Sequence, residues 1–197
     1  MVAPPERPRD ATEIVIRPIS PNDKRALSAA FARLGETSRD RRFLSPHTHL
    51  SDAELRYLTE LDHHDHEALV AIDPRTGQGV GVARYIRSRH DPTSAELAIA
   101  VVDDWQRMGV GTRLATALAD RARQEGIAVL TALVLADNEL VLNLADELGK
   151  VRTVHQEHGT AELTVELPEH GPGHLSRLLR TIAADDLRPF PAHRPAD

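Results

Sequence analysis

The chain contains no cysteine. This absence excludes disulfide bonds, thiolate zinc ligands and a cysteine nucleophile. Aromatic residues make up only 3% of the 197 residues, so the core must be built from Leu, Val, Ile and Ala. No apolar stretch approaches the ~18 residues of a membrane-spanning helix. The Pro-rich, charged start MVAPPERPRD lacks the apolar segment of a signal peptide. The sequence therefore predicts a cytoplasmic protein with no membrane partner.

Basic residues are fewer than acidic ones, and the net charge is −6. A nucleic-acid-binding protein usually carries a basic stripe, so this balance argues against nucleic acid as a partner. An acidic surface suits a cationic partner such as a lysine side chain, although solubility alone also explains it. The length fits one domain with a substantial core. We expect a disordered tail over 1–12, the domain over 13–167, and an extension over 168–197 with a short amphipathic helix near 175–182.

Apolar periodicity predicts an α/β fold: one domain with a mixed central sheet and helices on both faces. The expected order is strand, two helices, three strands, helix, strand, helix and two strands. Ser51 and Glu54 have the spacing of a capping box, which predicts the start of the second helix. The turn residues 73–77 separate two alternating segments, which indicates a β-hairpin.

The segment 101–112, VVDDWQRMGVGT, joins an alternating strand to a helical pattern that runs to Gln124. A helix N-terminus presents unpaired amide groups and partial positive charge, so it can bind a phosphate. Gly109 and Gly111 let the backbone approach an anion closely. The spacing matches neither G-x-x-x-x-G-K-[ST] nor G-x-G-x-x-G, because no Lys follows Gly111 and Leu114 replaces the third glycine. The alternative is an ordinary strand–helix connection.

Glu96 is the candidate general base. Period-two alternation in the segment 95–102 places Glu96 on one strand face with Ala98, Ala100 and Val102, and Leu97, Ile99 and Val101 on the other. A carboxylate beside two alanines suits a cleft, and partial burial would favour base function. The alternative is a surface glutamate on an exposed strand face.

The turn Q-x-x-G-x-G resembles the acyl-CoA pyrophosphate loop of the GCN5-related N-acetyltransferase (GNAT) family, whose element order also matches residues 13–167. The segment 34–46, LGETSRDRRFLSP, looks like a block of bacterial Pat-type protein lysine acetyltransferases, as does the strand start Ala95-Glu96. Arg39, Arg41 and Arg42 in this segment could instead be surface charges of a solvated loop.

This resemblance implies acetyl-CoA as co-substrate and Glu96 as general base. It further implies that the backbone of Val101 and Val102 pairs with the pantetheine arm and that Asn138 contacts the same region. The amides that would hold the pyrophosphate are those of Arg107, Met108, Gly109, Val110, Gly111 and Thr112. Ala145 stands where many relatives have a tyrosine that protonates the thiolate, so the general acid is left open.

We expect an acetyl-CoA-dependent N-acetyltransferase that acts on a protein lysine ε-amine by direct attack. The alternatives are an enzyme that acetylates a small amine (a polyamine, an amino acid or an aminoglycoside) and a CoA-binding sensor without catalysis. The cluster from His63 to His66 could ligate a metal, but no second cluster has zinc-like spacing, and no metal site is predicted. The sequence does not define the acyl length or the oligomeric state.

Overall fold

The computed structural model describes residues 11–43, 48–157 and 159–169. Seven strands form one sheet in the order β1-β2-β3-β4-β5-β7-β6. The strands are β1 Val15–Pro18, β2 His66–Ile72, β3 Gly79–Arg87, β4 Ser94–Val101, β5 Val129–Leu135, β6 Lys150–Glu157 and β7 Thr160–Glu166. The helices are α1 Lys24–Ala32, α2 Glu36–Phe43, α3 Asp52–Thr59, α4 Val110–Gln124 and α5 Glu139–Leu148. The predicted fold class, a mixed sheet with helices on both faces, is confirmed.

The sequence did not predict helix α2, which lies in the segment 34–46. Its residues ETSRDRRF are almost all polar, so the apolar period that reveals a buried helix face is missing. At the start of the described residues, Ala11–Glu13 form a 3-10 turn. Arg113 of α4 donates hydrogen bonds to the Ala11 and Ile14 carbonyls and fixes this turn. The predicted helix at 175–182 lies outside the described residues.

The sheet opens between β4 and β5. This is the parallel pair in an otherwise antiparallel sheet, and its pairing covers only Ser94 to Glu96 against Val129 to Thr131. Beyond Glu96 the two strands have no register partners in each other, although β4 continues to Val101 along β3. The sheet therefore contains a gap that starts beyond Glu96 and extends to the first turn of helix α4.

Two apolar layers cover the two sheet faces. Helix α4 buries Leu114, Leu118 and Ala122 against the face that carries Leu97 and Ile99, the main core. Helices α1 and α3 cover the opposite face, where Phe31, Leu34 and Leu50 form a separate cluster around Ala100. No helix in the described part of the chain is long and apolar enough to cross a bilayer.

The capping box of α3 is present as predicted. Ser51 Oγ accepts the Glu54 N–H at 3.3 Å, and Glu54 Oε2 accepts the Ser51 N–H at 2.8 Å.

We expect Ser51→Ala to lower the free energy of unfolding by about 1 kcal/mol, because an amide of the first turn loses its acceptor. Urea denaturation measures this change, and Ser51→Asp, which keeps an acceptor, should lose much less.

Asp23 precedes α1 and is almost fully buried. Arg17 donates to both of its carboxylate oxygens at 2.8 and 2.6 Å, and these bonds lower the pKa of Asp23 to about 2. Since this pKa lies below the ordinary value of 3.8, the carboxylate stabilises the fold above about pH 4, and the stabilisation is lost as pH falls toward 2. Arg17 is half-exposed, so screening limits the contribution to about 1 kcal/mol.

We expect the stability difference between wild type and Asp23→Asn, measured by urea denaturation, to shrink between pH 5 and about pH 2. A difference that does not change with pH would contradict this role.

Candidate active site

A cavity of about 580 Å³ occupies the gap between β4 and β5. Its walls come from both strands, from α2, from the first turn of α4 and from α5. The volume lies in the range of small-molecule sites. Seven residues predicted from the sequence line it: Glu96, Val101, Arg107, Gly109, Gly111, Thr112 and Asn138.

Val101 and Val102, the two predicted backbone contacts of the pantetheine arm, differ in the direction of their backbone groups. Val102 N–H donates to Val80 O at 2.9 Å, so this amide belongs to the sheet, and Val102 lies outside the large cavity. The Val102 amide is therefore not directed at the gap. Backbone groups alternate in direction along a strand, so Val101 turns its N–H and C=O toward the gap. The Val101 carbonyl accepts a hydrogen bond from Gln106 Nε2 at 3.0 Å.

The turn before α4 has the geometry of an anion site. Gly109 is the N-cap with a φ of 82°, and Arg107 has a φ of 59°, a conformation that side-chain-bearing residues rarely adopt. The first intrahelical bond runs from Arg113 N–H to Gly109 O. The amides of Val110, Gly111 and Thr112 precede it, so they have no acceptor within the helix.

Four of the six residues from Arg107 to Thr112 line the cavity, and two do not. Val110 is buried in the main core, and Met108 packs against that core. Their side chains therefore anchor the turn, and only their backbone amides can serve a ligand. A Cβ built on Gly111 would meet no protein atom closer than 3.8 Å, so the missing side chain leaves open space at the helix N-terminus.

Asn138 caps the N-terminus of α5 and is 6% exposed. Its carbonyl accepts the Val141 and Leu142 N–H groups, but its side chain makes no capping bond. Its side-chain amide has no hydrogen-bond partner within the described ranges, and it lines the large cavity. Because this amide lines the cavity, it is placed to contact a ligand there.

Glu96 lies at the closed end of the gap, at the last paired position of β4 with β5. It is exposed and lines the cavity. The β3–β4 register puts it on the same sheet face as Arg84, which is paired with Ala98. The predicted alternation of β4 is thereby confirmed, and the carboxylate faces open space.

A second cavity of about 60 Å³ lies between α1, α3 and the face of β3 and β4; we call it the α1 chamber. Its walls are mostly aliphatic, and its charged residues are Asp23, Arg42 and Arg84. Leu34, Arg42 and Ala100 line both cavities, so the chamber adjoins the gap.

Arg84 is a buried cation, and Arg42 beside it is partly buried. Burial lowers the pKa of Arg42, and the nearby Glu96 carboxylate partly offsets this effect. Burial, with a smaller effect of Arg42, lowers the pKa of Arg84 to about 10. Sequence reasoning missed Arg84, although a charged residue between Val82 and Ile86 on an apolar strand face was a detectable signal. It left Arg42 as a possible surface charge, and the structure places this residue partly buried, in the walls of both cavities.

The histidine cluster diverges. His63 Nδ1 bonds Glu67 at 2.7 Å, His64 Nδ1 bonds Glu125 at 2.5 Å, and His66 Nε2 accepts from Arg84 at 3.0 Å. Each ring points to a different partner, so the cluster does not converge on one ion. Burial, followed by the charge of Arg84, lowers the pKa of His66 to about 4, which leaves the ring neutral at pH 7.

Neither Ala145 nor Tyr85 is placed to act as the general acid that would protonate the thiolate. Ala145 lines the cavity and is buried, and it offers no proton. Tyr85 is fully buried on the opposite sheet face from Glu96, where its hydroxyl donates to His64 O at 3.0 Å. Burial raises the pKa of Tyr85 to about 12. This hydroxyl is therefore a structural group.

Comparison with known proteins gives three kinds of match. A family model described as the acetyltransferase (GNAT) family matches residues 34–149. The chain is 34% identical over 165 residues to acetyltransferase Pat of Mycolicibacterium smegmatis. The aligned segment covers 83% of this chain and 49% of that protein. The chain thus spans about half the length of this curated relative.

Among solved structures, the GNAT domain of S. lividans PAT is similar, with a TM-score of 0.71 and 27% identity over 77% of this chain and 89% of that one. A Salmonella typhimurium protein, solved with its cofactor acetyl-CoA, matches with a TM-score of 0.64 and 20% identity. The match covers 81% of this chain and 97% of that one. At this identity the second match supports the fold alone.

Proposed function

The chain belongs to the acetyltransferase (GNAT) family, and from this premise we propose that it transfers an acetyl group from acetyl-CoA to a protein lysine ε-amine, with Glu96 as general base. The observation that carries the proposal is the position of Glu96, an exposed carboxylate at the closed end of a cavity whose open end is a helix N-terminus.

The residues of the large cavity fit acetyl-CoA as co-substrate. The amides at the start of α4 and the open space at Gly111 suit the pyrophosphate. The N–H of Val101 suits a carbonyl of the pantetheine arm, and the side-chain amide of Asn138 suits the same arm. To offer its carbonyl as well, Val101 would have to exchange Gln106 for the arm.

The gap runs from the start of α4 to Glu96, and this direction determines where the thioester of a bound acetyl-CoA would lie. With its phosphates at α4, the extended arm would bring the thioester toward the narrow end, where Glu96 lies. The amine must be deprotonated before it attacks, because a lysine ammonium has a pKa of ~10.4. Glu96 would accept that proton directly or through water. The amine nitrogen then attacks the thioester carbonyl, the C–S bond breaks, and CoA leaves as a thiolate that takes up a proton.

The lysine acceptor rests on the resemblance of segment 34–46 and on the similarity to acetyltransferase Pat. The net charge of −6 is compatible with a cationic partner. A small amine is the second candidate acceptor, and the α1 chamber beside the gap is the observation that favours it. A sensor that binds acetyl-CoA without turnover would have no use for an exposed carboxylate at the end of the gap.

The experiment measures acetyl-CoA turnover by release of free thiol with two acceptor panels, lysine-rich proteins and small amines. Turnover on proteins, with modified lysines identified by mass spectrometry, supports the proposal. Turnover restricted to small amines would replace the acceptor and keep the reaction. Binding of acetyl-CoA without turnover on either panel would favour the sensor.

A further inference from the structure

The carboxylate of Asp103 lies at the N-terminus of α2, a helix from a distant part of the chain. Its Oδ2 accepts the Gly35 N–H at 3.2 Å, and its Oδ1 accepts the Ser38 hydroxyl at 2.7 Å. Gly35 directly precedes the helix, and its carbonyl accepts the first intrahelical bond, from Arg39 N–H at 3.0 Å. A carboxylate at this end of a helix interacts favourably with the helix dipole and with the unpaired amides. We call the contacts of Asp103 with Gly35 and Ser38 the α2 cap.

Helix α2 has little apolar surface with which to hold its place. Its residues ETSRDRRF are almost all polar, whereas most helical stability in proteins comes from packing an apolar face. Gly35 lies so close to Asp103 that a Cβ at this position would overlap Oδ2. This close approach brings the start of α2 against the end of β4, so the α2 cap anchors the helix to the sheet.

Helix α2 also forms a wall of the large cavity on the sheet face that carries Glu96. Leu34, just before the helix, belongs to an apolar cluster that packs against Ala100, and Ala100 shares the strand face of Glu96. Ser38 and Arg42 of the helix line the cavity together with Glu96. An acceptor that approaches Glu96 from this face meets α2, so the position of α2 sets the space available to it.

Gln106 joins the α2 cap to the proposed acetyl-CoA site. Its Nε2 lies 3.0 Å from Val101 O, 3.0 Å from Ser38 Oγ and 3.1 Å from Asp103 Oδ1. A backbone carbonyl and a carboxylate are acceptors only, so the atom between them is the amide nitrogen. This nitrogen carries two hydrogens, so three acceptors share two donors. The Val101 carbonyl and the α2 cap therefore compete for Gln106.

We propose that Asp103 is a positioning residue for the acceptor: it fixes α2 on the Glu96 face, and Gln106 strengthens this cap when acetyl-CoA binds. The inference rests on the proposed function, in which the pantetheine arm pairs with Val101, and deepens it. An N–H of the arm that takes over the Val101 carbonyl leaves Gln106 free to give both hydrogens to the α2 cap. Helix α2 is then held most firmly when the co-substrate is in place, so the acceptor meets a completed wall.

Hydrogen exchange of the full chain, with and without saturating acetyl-CoA, tests the link between Gln106 and α2. We expect exchange in residues 36–43 to slow at least fivefold, whereas α3, which has its own capping box, changes less than twofold. In Gln106→Met, which has a side chain of similar length but no donor, the slowing in α2 should fall below twofold. The matched control is Gln124→Met, which changes an exposed glutamine at the other end of α4 that lines neither cavity and should keep the wild-type response. Equal slowing in α2 and α3, or slowing in α2 that persists in Gln106→Met, would overturn the link.

Kinetics of Asp103 variants test the positioning role without changing Gln106. For the most rapidly acetylated protein of the lysine-rich panel, we expect Asp103→Ala to raise KM at least fivefold, while the Kd for acetyl-CoA changes less than threefold. Asp103→Asn, which keeps one oxygen as an acceptor, should recover part of this loss. The control is Asp146→Ala, which removes an exposed aspartate of α5 that lines neither cavity and should keep the wild-type KM.

Failure of the positioning role and failure of the proposed function are distinguishable. Normal acetyl transfer with no slowing of exchange specific to α2, and with wild-type KM in Asp103→Ala, would overturn the positioning role alone. Slowing in α2 that depends on Gln106, without transfer to any amine, would leave the link standing and overturn the proposed function. If Gln106→Met or Asp103→Ala does not fold, the wild-type comparison of α2 with α3 and the KM of Asp103→Asn decide.

Discussion

Glu96→Gln is expected to lower kcat for acetyl transfer by 10²–10⁴-fold, the range of a lost general base. The amide is nearly the same size as the carboxylate but cannot accept the amine proton. The Kd for acetyl-CoA should change less than twofold, because the amides of α4 lie at the other end of the gap. Thiol-release kinetics and equilibrium binding measure the two quantities.

The same substitution should hardly affect stability. Glu96 is exposed, and surface substitutions usually change the free energy of unfolding by less than 0.5 kcal/mol. Glu162→Gln is the matched control, because it changes an exposed glutamate on strand β7 that lines neither cavity. A Glu96→Gln enzyme with wild-type kcat would assign proton removal to another group, such as water in the gap.

Gly111→Ala is expected to weaken acetyl-CoA binding at least tenfold while the fold keeps its stability. The added methyl would meet no protein atom closer than 3.8 Å, but it would occupy the space at the helix N-terminus where we propose the pyrophosphate. Ala is the better helix former by about 0.5–1 kcal/mol, so the free energy of unfolding should stay equal or rise. Calorimetric binding and urea denaturation together separate the effects.

Gly126→Ala is the complementary control at the opposite end of α4. Gly126 has a φ of 77°, so a side chain is strained there although nothing lies within 4 Å of the added Cβ. This variant should lose about 1 kcal/mol of stability and keep its affinity for acetyl-CoA. Wild-type affinity in Gly111→Ala would place the phosphates elsewhere than at the start of α4.

The turn before α4 and the strand face of Glu96 could be predicted from the sequence because both depend on local chemistry. Two glycines after an alternating strand specify a tight turn into a helix, and the φ of 82° at Gly109 confirms that such freedom is needed. The alternation of β4 depends only on the pleat of a strand, so it put Glu96 on the correct face. The capping box of α3 is equally local. Helix α2 was not predicted because its polar residues show no apolar period, and its contacts to distant parts of the chain, such as Ser38 Oγ to Asp103 Oδ1 at 2.7 Å, have no signal in the local sequence.

By itself, the sequence determined the fold class, the turn before α4 and the face of the carboxylate, since each follows from neighbours within a few residues. The tertiary structure alone decided that Val101 rather than Val102 faces the gap, because this depends on which strand pairs with each backbone group. It also brought Arg42 and Arg84 into one chamber. These residues lie on different elements, 42 positions apart in the chain, and only the packing of α2 and α3 over the sheet makes them neighbours.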